Sequence, residues 1–272
     1  MTHADGYFAI GKTHTVCEDY VRCGTLPNGR SYAIVSDGCS SSDDTDIGAR
    51  MLVLAAEQYM HINDPIETSI GFRNIADMAR SVVHSMRLDP TCLDATLIIA
   101  LETETQIAVY KMGDGVVAAR FRNGSMTYSS TEFSNGAPYY PNYMCDNLRH
   151  EGYRAMSGND VTITEGVVSG DVAKRTMTML DYGLIQTIPL VFPKTDVDLV
   201  VMMTDGAVSF RKGLEPVPVG EIVKQILDVK VPTGEFMIRR AKRFLGNYCT
   251  TQGWHHDDDF GVGAIFVDGV AP

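Results

Sequence analysis

Long apolar runs are scarce in this chain of 272 residues. The longest are TLIIAL (Thr96–Leu101) and LVVMM (Leu199–Met203), far short of the roughly 20 residues that a membrane helix needs. The N-terminal MTHADGYFAIG lacks a basic stretch followed by an apolar one, which argues against a secretory signal. Basic residues are in deficit: 23 Lys and Arg stand against 34 Asp and Glu, a formal charge of −11. With no basic face visible, nucleic acid and anionic membranes are not expected partners. The six cysteines (Cys17, Cys23, Cys39, Cys92, Cys145, Cys249) show no C-x-x-C spacing. That scatter fits reduced thiols in a cytoplasm better than a disulfide framework or a zinc site. Internal repeats and low-complexity linkers are lacking too. The single Trp, Trp254, reads as a hydrophobic anchor.

What is present is a globular composition, 44% hydrophobic and 21% charged, and a length that suits one large core. Residues 1–272 are therefore read as a single domain. SYAIVSD (Ser31–Asp37) has the alternation of a strand, and Ile47, Met51, Leu54 and Ala55 share one face of a following helix. A second helix is predicted over about Thr68–Arg87. ATLIIALE, QIAVYKMG and GVVAARFR then read as a strand meander. Residues 131–195 mix the turn-rich NGAPYYPNYMCDN with weak strand patterns, and are set apart as an irregular insert or flap. DVDLVVMMTDG is a buried strand ending in a turn. Helices are predicted over about Val219–Asp228 and Glu235–Tyr248, and FGVGAIFV is the last strand. Helices segregated from a mostly antiparallel sheet make an α+β fold.

One feature repeats. An apolar strand ends in Asp followed by Gly at Asp37–Gly38 and again at Asp205–Gly206. The last strand opens on three aspartates, Asp257, Asp258 and Asp259, and an acidic pair, Glu18–Asp19, ends another extended segment. If these ends meet, several carboxylates converge. Their repulsion is relieved by protonation or by a hard cation such as Mg²⁺ or Mn²⁺, which takes oxygen ligands. Any one Asp-Gly pair is more simply an ordinary turn, and Asp114 in GDGVV is read that way.

The ordered set resembles the metal-dependent Ser/Thr protein phosphatases of the PPM, or type 2C, family. GKTHTVCEDYV is similar to its opening acidic motif, and AIVSDGCSSSDDTDIGARM to its Asp-Gly motif and following helix. DATLIIAL, YKMGDGVVAAR, VVMMTDGAV and HDDDFGVGAIFV follow in the family's order, and TEFSNGAPYY is similar to a bacterial branch. The resemblance implies a four-layer α-β-β-α sandwich of two mostly antiparallel sheets flanked by helix pairs, with a centre for two Mn²⁺ or Mg²⁺ ions at one edge. Asp37 would bridge both ions and the Gly38 carbonyl would bind one. Asp205 and Asp258 would complete the other, with Asp257 and Asp259 as alternatives at a slip of one residue. Glu18 and Asp19 would hold metal-bound waters. One aspartate of the run would bind metal, a second orient it and the third be solvated. The implied activity is hydrolysis of phosphoserine or phosphothreonine in proteins by a metal-bridging water, in the cytoplasm, opposing a Ser/Thr kinase.

The chain also departs from the family. His14 stands where many members have a phosphate-holding Arg; it is either a phosphate contact or a polar strand residue. Cys39 replaces a His proposed as general acid. Ser209 replaces an Asp that helps hold a third ion, for which Asp94 is then a candidate. These gaps keep a second reading open, a weak or inactive phosphatase-like regulatory module. DFG at Asp259–Gly261 is no kinase motif, since no H-R-D loop precedes it. His255 and His256 lack zinc partners and read as a solvent-exposed loop.

Overall fold

The computed structural model describes residues 2–63, 70–156, 160–168, 170–178 and 188–269. A seven-stranded sheet runs in the order β1 (Thr2–Ala9), β15 (Phe260–Val267), β11 (Val197–Met203), β6 (Gly115–Phe121), β7 (Met126–Phe133), β8 (Val161–Val167), β9 (Val172–Met177). A five-stranded sheet runs β10 (Leu190–Pro193), β5 (Gln106–Met112), β4 (Leu97–Glu102), β3 (Ser31–Asp37), β2 (Asp19–Thr25). A small third sheet joins β13 (Glu215–Pro216), β12 (Phe210–Lys212) and β14 (Trp254–His256). Every pairing is antiparallel.

Strand alternation sets the layering. In β3, Ala33 and Val35 face the other large sheet, while Tyr32 and Ile34 face α1 (Thr45–Asn63) and α2 (Phe72–Met86). In β11, Val200 and Met202 meet the five-stranded sheet; Leu199, Val201 and Met203 face the opposite way. After α3 (Asn147–Arg154), which lies on the α2 side, α4 (Val219–Leu227) and α5 (Phe236–Arg243) cover that far face. Strands apolar on both faces need a cover on each, which produces the α-β-β-α sandwich. Trimming fully buried Ile34 to Ala removes contacts on the α1 side, at a cost of about 2–5 kcal/mol.

Several elements differ from the sequence reading. The second helix begins at Phe72; Thr68 lies outside the described residues. β1 carries no clear sequence signal because all its residues are half-buried, as suits an edge strand paired with β15 alone. Asp19 opens β2 rather than ending a strand. The helix from Phe236 continues through a π turn (Phe244–Cys249) and stops at Gly253, whose φ is 68°. Trp254 packs edge-on against Tyr248, centroids 5.4 Å apart. Residues 131–195 divide in two. β8 and β9 extend the large sheet, and between β7 and β8 the described residues 134–156 and 160 form an irregular segment; residues 157–159, 169 and 179–187 lie outside the described residues. That segment holds a 3₁₀ turn (Pro141–Cys145) and α3, whose N-terminus is capped by Asp146 at 3.1 Å from the Leu148 and Arg149 nitrogens. Tyr139, Tyr143 and Tyr153 stack edge-on or tilted at 5.2–5.5 Å, and Arg80 of α2 donates to Asn142 at 2.8 Å. Among the described residues no helix is long and apolar enough to cross a membrane.

Candidate metal centre

The ends of β3 and β11 and the β5–β6 turn meet at one edge of the sandwich. Asp37, Asp114 and Asp205 each offer a carboxylate oxygen there, all within 4.8 Å of one another. Asp114 is thus more than the ordinary turn the sequence suggested. Gly113 and Gly115, at φ +100° and +110°, reverse the chain so sharply that the aspartate between them points inward. It is 8% exposed, and its Oδ1 has no hydrogen-bond partner. The readable signal was an acid held between two glycines directly after a buried strand.

In the Asp-Gly motifs, glycine serves close approach rather than an unusual backbone angle. Neither Gly38 nor Gly206 has positive φ. A Cβ on Gly206 would lie 1.7 Å from the Asp259 carbonyl oxygen, and one on Gly38 would lie 2.8 Å from that of Thr45. Both turns therefore press their backbone against a neighbouring segment.

Burial and mutual repulsion raise the carboxyl pKa values of Asp37, Asp205, Asp114 and Asp19. Burial contributes most for Asp37, followed by the charges of Asp205, Asp19 and Asp114. Asp205 is raised by burial, then by Asp114 and Asp258. Asp114 is pushed up to about 7 by burial, against the opposing charge of Lys111. Asp19 faces Asp37 in the β2–β3 register and is likewise raised by burial; its Oδ2 accepts from Thr204 Oγ1 at 2.7 Å while Oδ1 has no partner. Unpartnered buried oxygens, crowded anions and an oxygen-only donor set fit hard divalent cations.

The aspartate run separates into three environments. Asp257 is partly exposed and lies 3.3 Å from His255 and 3.7 Å from Arg211. Asp258 is partly exposed too, and its charge acts on Asp37, Asp114 and Asp205. Asp259 is 1% exposed and accepts the backbone N–H groups of Gly11 (2.7 Å) and Glu18 (2.6 Å). His14 sits in the loop between β1 and β2, not on a strand. Its Nε2 is 3.1 Å from Asp258 Oδ1, and its Nδ1 is 3.3 Å from Asp259 and 3.5 Å from Glu18. The Glu18 carboxylate accepts from Thr45 at 2.6 Å, turning towards His14 and Asp259 instead of joining the Asp37 group. His255 and His256 belong to β14, and the His256 ring lies 5.3 Å from Phe210, so they are not a free loop.

Asp94 is not available for an ion. Arg149 grips it with two nitrogens, Asn142 donates at 2.9 Å, and it ties the 134–160 segment to the turn before β4. Ser209 Oγ donates to the Gly206 carbonyl at 2.9 Å and accepts from Asp258 N at 3.2 Å, a purely backbone role. Cys39 contacts Ser41 at 3.0 Å and neighbours the buried Tyr140, whose hydroxyl pKa is raised chiefly by burial.

The fold has counterparts of known structure. A bacterial serine phosphatase carrying an Arg-to-Lys substitution superposes with a TM-score of 0.58 at 12% identity, covering 100% of both chains. The Ser/Thr phosphatase Stp1 of Staphylococcus aureus gives 0.55 at 13%, over 99% of this chain and 96% of the other. The Mycobacterium tuberculosis phosphatase PstP/Ppp gives 0.52 at 14%, over 98% and 99%. At such identities the likeness is one of fold. No curated protein matches. A family model described as protein phosphatase 2C matches residues 10–232, a stretch that contains Glu18–Asp19, Asp37–Gly38, Asp114 and Asp205; the chain belongs to the protein phosphatase 2C family.

Proposed function

We propose that this chain hydrolyses phosphoserine and phosphothreonine in proteins, opposing a Ser/Thr kinase, with two Mn²⁺ or Mg²⁺ ions at the carboxylate edge. The observation that carries the reading is the convergence of Asp37, Asp114 and Asp205 within 4.8 Å. Asp37, the Gly38 carbonyl, Asp205 and Asp258 would hold the ions, with Asp114 as a further oxygen donor. Divalent cations so bound supply acidified water and offset the charge on phosphoryl oxygens.

The protein's own part is positional. The unpartnered Oδ1 of Asp19 would accept a hydrogen bond from a water in the centre and orient it. Asp259 fixes the 11–18 loop through two backbone N–H groups. His14, enclosed by Glu18, Asp258 and Asp259, orients carboxylates rather than grasping phosphate. No cysteine takes a covalent part in this reading: Cys39 faces a serine and a tyrosine, and among the described residues no base contacts its thiol. Hydrolysis of p-nitrophenyl phosphate that needs Mn²⁺, stops in EDTA and survives thiol alkylation is the expected result. Absence of hydrolysis in a Mn²⁺-loaded protein would favour a regulatory module, to which Cys39 and Ser209 already lend support.

A further inference from the structure

β5 carries a cation towards the carboxylates. Ile107 and Val109 point between the two large sheets, whereas Tyr110 and Met112 face the helices, so Lys111 shares the inter-sheet side. Its Nζ donates to Thr131 Oγ1 of β7 at 2.5 Å and to the Gly115 carbonyl at 3.5 Å. Gly115 directly follows Asp114, so the ammonium spans the sheets at the turn that presents that carboxylate. No Asp or Glu oxygen lies in ion-pair contact with Lys111 among the described residues, so its charge acts on Asp114 through space rather than by a salt bridge. Each charge moves the other's ionisation: burial lowers the Lys111 pKa to about 8 while Asp114 opposes the change.

We propose that Lys111 is a tethered counter-cation of the carboxylate centre, fixed at the turn that presents Asp114. Two observations meet here. Ser209 brings no carboxylate to the turn that carries Asp205, its hydroxyl being engaged by the Gly206 carbonyl and Asp258 N–H. Lys111 adds one positive charge that acts on Asp114. A fixed charge of this kind stabilises the metal-free cluster and repels an arriving cation. Lys111 is therefore a positioning residue that sets metal affinity, and it contacts no substrate. The inference rests on the centre being a cation site.

The test is titration calorimetry with MnCl₂ at pH 7 on wild type, Lys111→Arg, Lys111→Met and Lys111→Gln. Lys111→Arg should keep the wild-type affinity. Both neutral variants should bind Mn²⁺ at least about tenfold more tightly, since a unit charge no longer opposes the ion. If the neutral variants are unfolded without metal, Mn²⁺ should refold them by replacing the lost charge. Neutral variants whose isotherms superimpose on the wild type, or that stay unfolded in Mn²⁺, overturn the proposal. A wild-type protein that binds no divalent cation defeats the cation-centre reading itself, a different outcome from equal affinities.

Discussion

Replacing Asp205 by Asn should stabilise the metal-free protein and remove what Mn²⁺ adds. With oxygens within 4.8 Å and an effective dielectric of about 20, two ionised members of the Asp37–Asp114–Asp205 group repel by about 3.5 kcal/mol. Protonation relieves part of this, as the raised pKa values record, and Asp37 and Asp205 are only half-buried. The net gain from one neutral replacement should therefore be smaller, about 1–3 kcal/mol, or a few degrees in Tm. Wild type should in turn gain about 4.1 kcal/mol from Mn²⁺ at a thousand times its Kd, more than that head start. The stability order should then invert: Asp205→Asn above wild type in EDTA, below it in saturating Mn²⁺. Thermal unfolding by calorimetry reads both limbs. Asp198→Asn is the control, because Asp198 is held by Arg120 at 2.8 and 3.0 Å and its loss should destabilise under both conditions. An Asp205→Asn protein less stable than wild type in EDTA, or gaining as much from Mn²⁺, would mean that Asp205 is neither a crowded anion nor a cation ligand.

Metal-free stability should also fall as pH rises. Carboxyls with a folded-state pKa above the unfolded value bind more protons when folded, so their contribution is full below about pH 4 and is lost upward through the folded value, about 7 for Asp114. Urea titrations in EDTA from pH 5 to 8 check this, and a rising midpoint contradicts it. Asp259→Ala should cost about 2–4 kcal/mol by stranding the Gly11 and Glu18 amides, measured by chemical denaturation. Asp94→Asn should leave the Mn²⁺ isotherm unchanged, whereas Arg149→Ala should destabilise by about 2–3 kcal/mol by leaving a buried carboxylate half-partnered. His14→Ala should weaken Mn²⁺ binding roughly tenfold, the usual scale for residues that orient metal-binding groups; a rise in peptide KM alone would make it a phosphate contact.

The layers were legible because β3, β4 and β11 are apolar on both faces, a pattern only a covered sheet satisfies. Asp37 and Asp205 were legible as strand-ending acids. Asp114 was not, because a Gly-Asp-Gly reversal and a hairpin turn share the same letters. What separates them is whether the side chain points in, which is set by sheet pairing far along the chain. β1 and residues 131–195 were obscure for a related reason. Half-buried edge strands lack a strict alternation, and the exposed β9, VAKRTM, shows none. Asp94 misled because closeness in sequence to β4 says nothing of Arg149, which reaches it from α3.

The most direct test is steady-state hydrolysis of one phosphothreonine peptide by wild type and Asp37→Asn, each in EDTA and in Mn²⁺, with fold checked by circular dichroism. Turnover is expected only for wild type in Mn²⁺, with a loss of at least about a thousandfold in kcat/KM for the folded variant. Comparable turnover by folded Asp37→Asn in Mn²⁺, or full wild-type turnover in EDTA, would contradict the metal-centre reading.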